Sequence, residues 1–187
     1  MILAATILPG LPPYGPLPTA FPASWGRLGR EGLVVEFETE GAKLVGNFEP
    51  GSGGLRLAGR HPNGRDGIVL SDGDLWIVSA DLELTADRLL PGLNALAETR
   101  NPNGWIFDRQ GLALVRFSPE GILWHTRRLS WDGFDQIHVG DSKITGMAWS
   151  PVDDDWYPFE VDLGSGRAKG GSFSEEDPEG WEKLHLV

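Results

Sequence analysis

Asp153-Asp154-Asp155-Trp156 is the run of this chain in which chemistry-bearing side chains crowd most closely. Three contiguous carboxylates beside an indole could serve three kinds of chemistry. A calcium loop needs oxygen ligands at alternating positions and a later bidentate carboxylate, and contiguous aspartates do not supply that spacing. A glycoside hydrolase needs two carboxylates at a set separation across a cleft, and only tertiary structure fixes a separation. An acidic contact for a basic protein needs only charge and an aromatic anchor, which the run has. Asp153, Asp154, Asp155 and Trp156 are therefore the candidate binding residues, against the plain alternative of a solvated hairpin tip. Asp72 and Asp74, flanking Gly73, fit a turn in the same way.

The remaining reactive residues are scattered. His61, His125, His138 and His185 form neither a His-x-x-x-His nor a His-x-His pair. A lone histidine in a strand pattern is more often a packed or solvated residue than a ligand. The chain contains no Gly-x-Ser-x-Gly elbow, no phosphate-binding Gly-x-x-x-x-Gly-Lys loop and no dinucleotide fingerprint. No catalytic residue, metal site or cofactor is expected, and the protein is read as non-catalytic.

Composition narrows the partners. A formal net charge of -11 disfavours direct nucleic-acid binding, which requires a basic footprint to release counterions. It suits a soluble acidic protein or an acidic partner of something basic. The absence of cysteine excludes disulfides and thiolate-bound metals. The apolar stretch from Ile2 to Leu8 has no basic residue before it and ends at Pro9, unlike a secretory signal. No stretch approaches the ~20 apolar residues of a membrane span. A cytoplasmic location without membrane contact is the expectation.

The elements that must position these residues read as β throughout. From Leu112 to Phe173, short alternating runs are broken by Ser-Pro-Glu-Gly, Trp-Asp-Gly, Gly-Asp-Ser, the aspartate run and Gly-Ser-Gly, which is the grammar of a meander. Tyr157, Phe159, Val161 and Leu163 share one face of a strand and are expected in the core; Trp156, Pro158, Glu160 and Asp162 share the other. Upstream, Leu33–Glu38 and Lys43–Phe48 read as one hairpin, and Ile68–Leu70 with Leu75–Val78 as another around Ser-Asp-Gly-Asp. Residues 86–104 are ambiguous: Leu89, Leu90, Leu93, Leu96 and Ala97 fit a short helix or an irregular strand. Residues 174–187 form an acidic tail in which Trp181 and Leu184–Val187 could pack as a final strand or turn. Residues 1–30 are expected as an arm, its proline-dense part (residues 9–25) strapped down by Tyr14, Phe21 and Trp25, with 31–187 as a single all-β domain.

A weak repeat pairs Val115–Pro119 with Met147–Pro151 through an apolar–x–aromatic–Ser-Pro pattern. Units starting at Leu55, Leu93 and Phe134 are spaced by about 40 residues, the size of a propeller blade. The expected fold is thus an antiparallel meander, a small or partial β-propeller, with a β-sandwich or open barrel as the alternative. Eight tryptophans serve either as core fillers or as platforms for sugars or proteins. Trp156, on the polar face of its strand, is the one expected to be exposed.

Gly10–Pro16, Glu31–Phe37, Val45–Phe48, Ser130-Trp131-Asp132-Gly133 and Gly170–Phe173 together resemble a little-characterised bacterial family of small all-β proteins with a Pro-rich N-terminal arm. These motifs are turn and packing signatures, so the resemblance implies a fold and a bacterial origin and brings no functional residues. The functional expectation is a protein-binding protein, in its most specific form an immunity-type inhibitor of a basic bacterial toxin. A carbohydrate-binding module using exposed tryptophans stands second, and a hydrolase with paired carboxylates third.

Overall fold

The computed structural model describes residues 1–15, 17–81, 83–98 and 105–173, with the backbone alone for 95–98. The fold is all-β, with one five-residue helix among the described residues. It comprises four four-stranded sheets. The chain divides into two compact units, residues 1–93 and 94–187.

The first unit starts at the N-terminus. Strands β1 (Ile2–Ile7), β2 (Thr19–Phe21), β3 (Leu33–Thr39) and β4 (Lys43–Phe48) form a sheet in the order β1-β3-β4-β2. β2 runs parallel to β4; the other pairs are antiparallel. Two stretches of the expected arm, Ile2–Ile7 and Thr19–Phe21, are therefore built into a sheet. The strap is real for two of its three aromatics. Phe21 and Trp25, the latter on helix α1 (Ala23–Arg27), are buried, whereas Tyr14 is 90% exposed. α1 begins directly after Pro22, where proline's fixed φ and missing N–H do no harm.

The second sheet is a meander of β5 (Leu57–Arg60), β6 (Gly67–Ser71), β7 (Asp74–Ala80) and β8 (Leu84–Leu90). The expected Ser-Asp-Gly-Asp hairpin joins β6 to β7. Asp72 has φ 46° and Gly73 φ 89°, the paired positive values of a turn whose twist matches its strands. The ambiguous patch resolves as strand. β8 ends at Leu90, Pro91-Gly92 turns the chain, and β9 (Leu93–Glu98) follows. The helix-like leucine spacing came from overlaying two strands across that turn. Residues 99–104 of the patch lie outside the described residues, as do Trp181 and Leu184–Val187.

β1 to β8 supply one continuous core that joins these two sheets: Ile2, Val35, Phe37, Phe48, Val69, Trp76, Val78 and Leu84 are all buried. Phe48 lies at its centre, 5.1 Å from Phe21, 5.8 Å from Trp76 and 6.2 Å from Phe37 between ring centroids. Gly46 leaves room for this cluster, since a Cβ there would meet the Phe48 ring at 2.6 Å.

In the second half of the chain, β9, β10 (Trp105–Arg109), β11 (Ala113–Ser118) and β12 (Gly121–His125) form the third sheet, and β13 (Phe134–Val139), β14 (Lys143–Ser150), β15 (Asp155–Asp162) and β16 (Ala168–Gly170) the fourth. Ile106, Leu114, Trp124 and Leu129 pack with Ile144, Ala148, Phe159 and Val161 in a second core. The 40-residue period is present in the sheets: β5, β9 and β13 start at Leu57, Leu93 and Phe134. The Ser-Pro pair does not mark that period. Ser118-Pro119 follows the third strand of its sheet, while Ser150-Pro151 follows the second. Two unrelated hairpin turns happen to share Ser-Pro chemistry.

Candidate functional site

The β14–β15 hairpin places the aspartate run. β14 and β15 pair over eight residues, from Lys143 opposite Asp162 to Ser150 opposite Asp155. Pro151 to Asp154 make the turn, and Asp154 adopts φ 55°, a left-handed conformation that aspartate tolerates better than most residues. Every residue from Pro151 to Trp156 is exposed, Val152 at 78% and Trp156 at 38%. The four candidate residues are thus contiguous on the surface, but they do not all face one way.

Asp153 turns toward Tyr157, whose hydroxyl donates to its carboxylate. The Ser150 and Tyr157 hydroxyls hold the Asp153 carboxyl below the usual carboxylate range. The same hydrogen bond raises the Tyr157 phenol above its ordinary value. Asp155 accepts the backbone N–H of Trp156 at 2.7 Å. Trp156 lies on the opposite face of β15, across from its register partner Trp149, with ring centroids 5.1 Å apart and planes at 54°.

Tyr157 was expected in the core with Phe159 and Val161. Those two are buried; Tyr157 is only partly so, because it sits where the strand meets the exposed turn. It lines an open hollow of about 340 Å³ with Val152, Asp153, Trp131 and Phe173. Trp131 and Phe173 touch at a centroid distance of 4.8 Å. The Arg128 guanidinium lies 4.8 Å from the Trp131 centroid and 4.5 Å from that of Phe173, a cation–π arrangement with both rings. Arg128 is fixed by donating from Nε to the Ser130 carbonyl at 2.9 Å and from Nη2 to the Trp131 carbonyl at 3.1 Å.

Two serines pin this rim to β14. The Ser172 hydroxyl donates to the Trp149 carbonyl at 2.5 Å, the Ser130 hydroxyl is shared between the Gly133 carbonyl at 2.6 Å and that of Trp149 at 3.1 Å, and the Trp131 N–H reaches the Trp149 oxygen at 3.2 Å. The Ser-Trp-Asp-Gly motif is therefore a rim-building turn. Trp131 and Phe173 lie in the quoted Ser-Trp-Asp-Gly and Gly170–Phe173 motifs but were not among the candidate site residues, and neither was Arg128. The Arg-x-x-Trp spacing was a local signal for one pair; nothing in the sequence linked Phe173, 42 residues away, to Trp131.

The hollow is lined by one carboxylate, Asp153, one phenol and two aromatic rings. Among the described residues no group of three or more His, Asp or Glu side chains is arranged to hold a metal ion. Of the histidines, His61 is buried, its Nδ1 accepting the Asn63 N–H at 3.1 Å, and burial lowers its pKa. His125 and His138 are exposed strand residues. Trp25, Trp76 and Trp124 are buried packing residues, while Trp131 and Trp156 stand out into solvent. No helix among the described residues is long and apolar enough to cross a membrane. No protein-family model matches the chain, and no curated protein matches it.

Proposed function

We propose that the protein is a binding protein that docks a basic partner protein on the 151–157 turn and its aromatic rim. The observation that carries this reading is the continuous exposure of Val152, Asp153, Asp154, Asp155 and Trp156 beside the Trp131–Phe173 pair. Large rings at the centre with charges around them is the composition of an interface hot spot. A net charge of -11 would steer a cationic partner toward it. In its most specific form the reading is an immunity-type inhibitor that covers the basic active surface of a bacterial toxin.

Co-expression tests it. The products of genes flanking this one are expressed with and without the protein, and growth is scored. The expected result is a neighbour that is toxic alone and neutralised by this protein. The Asp153→Ala, Asp155→Ala, Trp156→Ala triple variant should lose neutralisation while keeping its fold. Neutralisation at full strength by that variant would remove the turn from the contact, and the absence of any toxic neighbour would sink the inhibitor reading.

A carbohydrate reading is second, favoured by the exposure of both Trp131 and Trp156. Both rings are tilted against an aromatic neighbour, so neither offers a broad flat platform. A glycan titration that left tryptophan fluorescence unchanged would dismiss it.

A further inference from the structure

The outer face of the fourth sheet carries a second feature, separate from the aspartate turn. Ile144, Ala148, Phe159 and Val161 point into the core. The alternate residues Thr145, Met147, Pro158 and Glu160 therefore share the opposite face. The register sets Met147 beside Pro158, Thr145 beside Glu160, and Glu160 beside Lys169 on β16. Along that face lie two open hollows that share Glu160 and Lys169. One, about 740 Å³, is bordered by Arg127, Arg167 and Lys169. The other, about 690 Å³, has Met147 and Pro158 in its lining. Each volume is in the range of small-molecule sites.

Charge distinguishes the first hollow. The chain has 16 Lys and Arg residues against 27 Asp and Glu, yet three cations border this one depression. Its two carboxylates are already engaged. Glu160 pairs with Lys143 at 2.7 Å, and Asp162 accepts the Ser165 N–H and hydroxyl at 2.7 and 2.6 Å. Arg167 helps to lower the Asp162 pKa, but neither it nor Lys169 makes an ion-pair contact among the described residues. Arg127 is held in place by donating to the Gly170 carbonyl at 2.7 Å and the Phe173 carbonyl at 3.1 Å, so its charge is fixed at the rim. Gly166, at φ 72°, lets the β15–β16 turn close against the Trp124 ring, which sets the position of Arg167.

We infer that this face binds a small organic anion, with its acidic group between Arg167 and Lys169 and its apolar body over Met147 and Pro158. Charge complementarity selects the acidic end, a phosphate or a carboxylate, and the neighbouring apolar hollow selects a ligand with a hydrophobic body. Arg167 and Lys169 are both exposed, so the ionic contacts are screened and a millimolar affinity is expected.

Backbone amide NMR on the full chain tests this with phenyl phosphate, phenylacetate, inorganic phosphate and benzyl alcohol. Phenyl phosphate is expected to shift the amides of Arg167–Gly170 together with those of Gly146 and Met147. Phenylacetate producing the same pattern would name a carboxylate as an alternative source of the acid. Inorganic phosphate should shift the 167–170 set alone, and benzyl alcohol neither set. The Arg167→Gln, Lys169→Gln double variant should weaken phenyl phosphate binding at least about tenfold, while Arg60→Gln in the first unit should leave it unchanged. No shifts at about 10 mM phenyl phosphate would overturn the proposal. So would shifts spread over other basic residues and retained in the double variant, which would mean adventitious anion binding only. The outcome is independent of the toxin co-expression result, because the two experiments read different residues.

Discussion

Asp153 and Asp108 are two carboxylates that their surroundings push in opposite directions. Asp153, at the exposed turn, is held low by the Ser150 and Tyr157 hydroxyls. Tyr157→Phe should let its carboxyl titrate at a higher pH, visible in side-chain carboxyl NMR; an unchanged midpoint would mean that the phenol does not hold it. Asp108, near the end of β10, is pushed up to about 6 by burial, although it accepts the Gly111 N–H at 2.8 Å. The folded state thus binds this proton more tightly than the unfolded chain does. Stability should fall as pH rises from about 4 through about 6, because the charged form must be kept out of water. Asp108→Asn, which keeps an acceptor for Gly111, should stabilise the protein at pH 7.5 by about 1–2 kcal/mol and by almost nothing near pH 4. Urea unfolding at both values checks this, and an equal gain at both would refute the burial argument. Neither environment was visible in the sequence, since burial and a hydroxyl four residues away depend on how the strand ends are packed.

At the scale of elements, turn chemistry was the most legible feature. Ser71-Asp72-Gly73-Asp74 specified a hairpin because two successive positive φ values are needed there and Asp-Gly supplies them. Gly73→Ala should cost about 1–3 kcal/mol: φ is 89°, and the new Cβ would lie 2.6 Å from the Leu93 carbonyl oxygen. Thermal unfolding measures this, and a loss below a few tenths would show that the turn relaxes freely. Elements stayed ambiguous where a local pattern had two solutions. Leucines 89, 90, 93 and 96 satisfy a helical stripe as well as two strands broken at Pro91-Gly92, and pairing with β7 and β10 decides for strands. β1 and β2 were missed because their partners, β3 and β4, lie tens of residues away, and a parallel pairing such as β2 with β4 has no adjacent turn to announce it. The Ser-Pro repeat failed for the converse reason: a shared turn chemistry is local and carries no information about a strand's place in its sheet.

For the whole molecule, each half of the chain has its own apolar centre. Phe48→Ala should destabilise the first unit by about 3–5 kcal/mol, since it empties the middle of the Phe21–Phe37–Trp76 cluster. Hydrogen exchange should then rise in residues 1–93 first; an equal rise across 105–173 would contradict the assignment of this cluster to the first unit. Net charge acts at this scale too. Association with a basic partner should slow several-fold between about 50 and 200 mM salt, and a salt-independent rate would rule out steering by the -11 charge. By itself the sequence determined the β character, the main hairpins, the 40-residue spacing of the sheets and the exposure of the 153–156 turn. These follow from period-two patterning, glycine φ and charge, all of which act between neighbours in the chain. Only the tertiary structure decided that residues 2–7 and 19–21 join a sheet. It alone set Trp131, Phe173 and Tyr157 around Asp153, and gathered Arg127, Arg167 and Lys169 at one hollow. Those placements rest on pairing and packing between distant residues, and a linear pattern carries no term for distance in space.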